Sequence, residues 1–78
     1  MPNITTQRIS PKKLLLSKWT AVKPQQKEKH FMVSKVIQPD EPDAPVEFVE
    51  LEAVYSKRLL VLPWRDLNNS EQWLQGWV

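Results

Sequence analysis

Apolar and polar positions alternate along three stretches of this chain. In "KHFMVSKVI" (29–37), Phe31 and Val33 alternate with His30, Met32 and Ser34. "VEFVELEAVY" (46–55) and "RLLVLPW" (58–64) carry the same period, which is that of a half-buried strand. Between the first two lies "QPDEPDAP" (38–45), whose three prolines place it outside any sheet. "SK" (56–57) is left as a tight connection between the second and third strands, without the Asn-Gly chemistry that a two-residue hairpin prefers. Pairing Phe31 with Leu51 also pairs Val33 with Val49 and Lys35 with Glu47, and sets His30 opposite Glu52. Pairing Tyr55 with Arg58 brings Ala53 to Leu60 and Leu51 to Leu62. One face then carries Phe31, Val33, Val49, Leu51, Ala53, Leu60, Leu62 and Trp64, nearly all apolar. The other still holds Met32, Val36, Val46, Phe48, Val54, Leu59 and Val61, so something must cover part of it or the sheet must curl.

The flanking segments are less periodic. Residues 1–9, "MPNITTQRI", show no sustained pattern and are expected to fray. Ser10 as N-cap and Pro11 at the first helical position predict a single helical turn. A strand is expected over about 18–22 from "SKWTAV", followed by a polar loop, "KPQQKEK", containing Pro24. At the other end, "NNSEQWLQGW" offers Asn69 as N-cap of a short helix, Glu71 early in it and Gly76 as its stop. Trp73, Trp77 and Leu74 would form a plug for an open sheet end. The expected fold is all-β, or β with one short C-terminal helical turn. It is a small antiparallel meander that closes toward an SH3-like half-barrel, with one domain over 10–78 behind a frayed 1–9.

Length sharpens this picture. A chain of 78 residues buries a limited core and often needs a staple. Without cysteine there is no disulfide, and His30 is the single histidine, so a structural zinc site is not expected. Four tryptophans can supply the missing burial, with Trp64 and Trp73 the expected core members. The net charge of +2 hides three blocks: +7 over 1–37, −6 over 38–56 and +1 over 57–78. The first two overlap the strand patterns, and mutual pairing inside the fold is the simplest account of them.

The run "PKKLLLSKWTAV", followed in order by "KEKHF", "LEAV", "PWRDL" and "WLQGW", resembles a family of small tryptophan-rich bacterial proteins. The resemblance spans roughly residues 10–77. It implies a bacterial origin, mainly among gamma-proteobacteria and cyanobacteria, and it brings no catalytic residues and no established function.

The chemistry available is narrow. Gly76 is the lone glycine, which excludes glycine-rich phosphate loops. No serine sits in a nucleophile-elbow context beside His30, the sole imidazole. Glu50 and Glu52 are two apart on a strand and read as a solvated or lysine-paired row. His30 reads as a strand histidine bonded to Glu52 or to backbone, the alternative being a ligand or a pH switch. Trp64-Arg65-Asp66 reads as a buried ring with a turn behind it, the alternative being Arg65 stacked on an exposed ring. The strongest binding signal is Lys12, Lys13, Lys18, Lys23, Lys27 and Lys29 interleaved with Trp19, since cations among aromatics can hold nucleic-acid backbone and stack bases.

The "LLL" run at 14–16 is too short for a secretory core or a membrane span, and zero cysteine suits the cytoplasm. The expected function is therefore a non-enzymatic protein-binding or adaptor module, without cofactor or metal. The alternative is an RNA or single-stranded DNA binder using the basic segment 12–29.

Overall fold

The structure, a computed structural model, describes residues 11–78. The frayed segment expected at 1–9 and the Ser10 cap lie outside the described residues. The elements in chain order are α1 (Pro11–Leu14), β1 (Lys18–Gln25), β2 (Glu28–Val36), β3 (Phe48–Ala53), β4 (Leu59–Pro63), a 3-10 turn (Trp64–Asn68) and β5 (Trp73–Gln75). They build one five-stranded antiparallel sheet in the order β4-β3-β2-β1-β5. The first four strands form the expected meander. The chain then crosses the open end through the 3-10 turn and lays β5 against β1, the connectivity of an SH3-like half-barrel.

Local chemistry explains the ends of the elements. Pro11 opens α1, where a missing N–H costs nothing. The turn closes at Leu16, whose φ of 67° is the left-handed conformation usually given to glycine. Ser17 then accepts the Val33 N–H on its carbonyl and starts the sheet.

β1 and β2 are joined by Gln26 and Lys27, both at positive φ (55° and 65°), the geometry of a two-residue type I′ turn. The polar loop expected over 23–29 is therefore replaced by a longer strand and a tight hairpin. Pro24 is tolerated in β1 because the pairing with β2 is irregular between Thr20 and Gln25, so its absent N–H breaks no ladder bond.

The core face carries the expected residues, joined beyond a bulge by Val36, which was expected on the other face, and the partners differ by two residues. Phe31 lies opposite Ala53 rather than Leu51, and Val33 opposite Leu51. In the next hairpin Leu51 pairs with Leu60 and Val49 with Leu62. In this second hairpin the cause is the β3–β4 connection. Four residues, 54–57, make the turn, with Lys57 at φ 66° and bonds from Lys57 N–H to the Ala53 carbonyl and from Ala53 N–H to the Arg58 carbonyl. A two-residue slip keeps every side chain on its face, because side chains alternate with period two. It moves Met32, not His30, opposite Glu52. A bulge at Ser34–Lys35 then shifts the pairing so that Val36 meets Val49.

Leu14, Trp19, Phe31, Val33, Val49, Leu51, Ala53 and Leu67 form the buried cluster. Leu60, Leu62, Trp64 and Trp73 pack against it half-buried. Trp73 meets Phe31 edge to face, with ring centroids 5.2 Å apart. The helix expected after Asn69 does not form. Asn69 caps a single turn through its side-chain oxygen, which accepts the Glu71 N–H, and its carbonyl accepts the Gln72 and Trp73 N–H groups. Ala21 pairs with Trp73 and Trp19 with Gln75, so the cross-strand ladder to β1 takes over before a second helical turn can close.

Candidate functional site

Period two assigns the outer face of the sheet to Lys18 and Thr20 on β1, His30 and Met32 on β2, Phe48, Glu50 and Glu52 on β3, and Leu59, Val61 and Pro63 on β4. The two halves of this face are treated differently.

Over β1 and β2 the segment Gly76–Val78 folds back as a cover. Gly76 turns at φ 87° and donates its N–H to the Lys18 carbonyl at 2.7 Å. The buried Thr20 hydroxyl donates to the Gly76 carbonyl at 2.6 Å and accepts the Val78 N–H at 3.1 Å. Trp77 donates its Nε1–H to the Phe31 carbonyl at 2.9 Å. His30 lies against the Trp77 ring at 5.9 Å between centroids, and its Nε2–H donates to the Val78 carbonyl at 3.0 Å. The Lys18 ammonium stands 4.8 Å from the centroid of the same ring. His30 thus has a backbone partner, as one of its expected readings had it, but that partner belongs to the last residue of the chain.

Over β3 and β4 none of the described residues folds back. Phe48 is 45% exposed, Leu59 55% and Val61 54%. The carboxylates of Glu50 and Glu52 flank them, with Glu50 accepting a bond from the Ser34 hydroxyl at 2.9 Å. Phe48 also borders a shallow cavity of about 280 Å³ formed with Ile37, Pro39, Ala44 and Pro45. A larger cleft of about 400 Å³ opens between the 3-10 turn and β5, with Trp19, Leu67 and Trp73 at its base and Asn68, Ser70 and Gln75 at its rim.

The basic candidates from the sequence distribute as follows. Lys13, Lys18, Lys23, Lys27 and Lys29 are exposed on α1 and the β1–β2 hairpin. The Lys12 side chain lies outside the described residues. Trp19, expected among them as a stacking ring, is instead in the core at 2% exposure, with its Nε1–H donating to the Ser17 hydroxyl at 2.8 Å. It faces inward because Trp19 and Ala21 alternate with Lys18 and Thr20 along β1; that alternation was the signal available in the sequence. Trp64 combines both of its expected readings. It packs half-buried with Nε1–H donating to the Val46 carbonyl at 2.8 Å, and the Arg65 guanidinium lies 5.2 Å from its ring centroid.

Sequence reasoning missed Glu28, the lone acid of the basic block. Its side chain is buried, and continuing the β2–β3 register sets Ser56 beside it. Arg58 and Ser56 donate to its carboxylate and hold its pKa down to about 2. Among the described residues no group of three or more His, Cys, Asp and Glu stands close enough to hold a metal ion. No helix among them is long and apolar enough to cross a membrane.

The class these features define is a small five-stranded antiparallel β-sheet domain. One half of its outer face is covered by residues 76–78, and among the described residues nothing covers the other half. The chain belongs to the family described as Tryptophan-rich protein (DUF2389), which matches residues 17–78 and whose function is not established. No curated protein and no solved structure matches it.

Proposed function

We propose that this domain is a non-enzymatic protein-binding module, and that it binds through the bare β3–β4 half of its outer face. The observation that carries this reading is the contrast across one sheet. On the β1–β2 half Trp77 packs against His30 and Lys18, whereas Phe48, Leu59 and Val61 stand open beside the edge of β4, which no other described strand pairs. Contiguous exposed apolar surface with a polar rim is characteristic of interaction sites. The reading takes the domain to act in the cytoplasm, which the absence of cysteine suits.

The nucleic-acid alternative loses its main support with the burial of Trp19. Trp77, the more exposed ring at 41%, is already engaged by His30 and Lys18. The test is a photo-crosslinking amino acid placed at position 61 and, as control, at position 23, in cells that make the protein. A discrete protein adduct from 61, absent from 23 and insensitive to nuclease, is the expected result. Nucleic-acid adducts at 23 with none at 61 overturn it.

A further inference from the structure

The hydrogen-bonding pattern of β4 sorts its backbone groups into two sets. Ala53 N–H donates to the Arg58 carbonyl at 2.9 Å and Trp64 N–H to the Glu47 carbonyl at 3.0 Å. In an antiparallel ladder, residues that exchange bonds alternate with residues that do not. Positions 58, 60, 62 and 64 therefore bond to β3. The N–H groups of Leu59 and Val61 and the carbonyls of Leu59, Val61 and Pro63 point outward along an edge with no neighbouring strand among the described residues. Pro63, which has no N–H, falls on the outward set, so the ladder to β3 is complete and the edge keeps two donors. The side chains of these same residues lie on the bare outer face.

One strand inward, Glu52 is directly opposite Leu59 and Glu50 directly opposite Val61. Both carboxylates are half-buried, and among the described residues no Lys, Arg or His nitrogen lies within 4 Å of either. The chain around them, 38–56, contains six acids and no base. Apolar side chains at the rim, carboxylates behind them and free backbone groups along the edge together specify a guest.

We propose that β4 takes up an extended segment of a partner protein as an antiparallel sixth strand, and that this segment carries Lys or Arg beside Leu59 and Val61. This rests on the reading of the β3–β4 face as a protein-docking surface. An added strand lies about 4.8 Å from β4 and about twice that from β3. A lysine beside Val61 lays its four-carbon stem over the valine and carries its ammonium to Glu50, and one beside Leu59 does the same toward Glu52. Strand addition supplies main-chain affinity, and alternate side chains supply specificity. A second copy of this chain fits less well. Two β4 edges side by side would bring two glutamate rows to one face with no cation between them.

The probe is a blocked octapeptide of alternating lysine and valine, titrated into the intact protein and followed by amide NMR. It should shift the Leu59 and Val61 amides and slow their hydrogen exchange, with affinity falling as salt rises. N-methylation of its lysines, whose N–H groups face β4, should abolish binding, and N-methylation of its valines should not. Glu50→Gln with Glu52→Gln should weaken binding by about tenfold. Equal binding of an octapeptide of the same composition, with all its lysines placed before all its valines, overturns the proposal. Indifference to lysine N-methylation or to the glutamine variants does the same. So does a dimer in sedimentation that Val61→Lys removes. If the octapeptide fails to bind while position 61 still crosslinks to a protein, the guest is not a basic strand and the docking reading stands. If both fail, both fall.

Discussion

Glu28 and Arg58 are thirty residues apart in the chain and meet at one end of the sheet, where Arg58 Nε donates to both carboxylate oxygens at 3.0 and 2.9 Å. The pair ties the β1–β2 hairpin turn to the β3–β4 turn, and Ser56 donates to the same carboxylate. These bonds favour the ionised form, first through Arg58 and then through Ser56, and lower the Glu28 pKa from its ordinary 4.5 to about 2. A depressed folded-state pKa stabilises the fold fully above about pH 4.5, and that contribution disappears as pH falls toward 2. The urea midpoint of the wild type should therefore exceed that of Glu28→Gln at pH 7, and the gap should close between pH 4.5 and 2. A gap independent of pH would remove the charge from the explanation. Arg58→Ala should lower the midpoint at pH 7 as well, because it leaves the buried carboxylate without its cation.

Trp19 is the ring on which the core closes. Trp19→Ala should cost about 3–5 kcal/mol, enough to unfold a domain of this size. Trp19→Phe should leave it folded at a lower melting temperature. Trp77→Ala removes a ring that is more exposed and should cost less than Trp19→Ala in the same thermal scan. Iodide should quench Trp77 and spare Trp19.

The β1–β2 turn holds two non-glycine residues in the left-handed region. Replacing Gln26 by Asn and Lys27 by Gly supplies the residues that a type I′ turn prefers, and should raise stability by about 1 kcal/mol, read from denaturant midpoints. Lower stability from this pair would show that the turn adopts another geometry.

Thr20→Val removes the hydroxyl that both donates to Gly76 and accepts from Val78, and should cost about 1–3 kcal/mol. Its signature is local. Trp77 emission should move to the red and the Val78 amide should exchange faster, while Trp19 is unaffected. Equal disturbance of both rings would mean that the segment 76–78 is part of the core rather than a cover.

Some of this architecture is legible from residue order and some is not. The faces of β2, β3 and β4 follow from alternation, because burial selects for period two over five or more residues. Their register does not, because a slip of two leaves the same residues inside. The size of the 54–57 turn settles it for β3 and β4, through backbone angles that "VYSK" does not announce. Trp19 was legible from its neighbours, but the cations around it suggested a different role. β5 is three residues long, too short to display a period, and Asn69 with Glu71 imitates a helix start so well that only the competition with β1 decides the outcome. Of the bare face, Phe48, Leu59 and Val61 were visible as unassigned apolar positions. Which half of the sheet would stay uncovered depended on where Trp77 lands, and Gly76 sets that.

The placement of β5 beside β1 has a consequence for the newborn chain. Three of the sheet's four pairings join consecutive strands and can form as each hairpin leaves the ribosome. The fourth joins residues as far apart as Thr20 and Gly76, separated by 56 positions, and must wait for the last strand to emerge. During that interval β1 and β4 are both open edges on a half-made sheet. The lysines at 18 and 23 on the waiting strand are suited to this moment, since a charged edge resists pairing with the same edge of a neighbouring nascent chain.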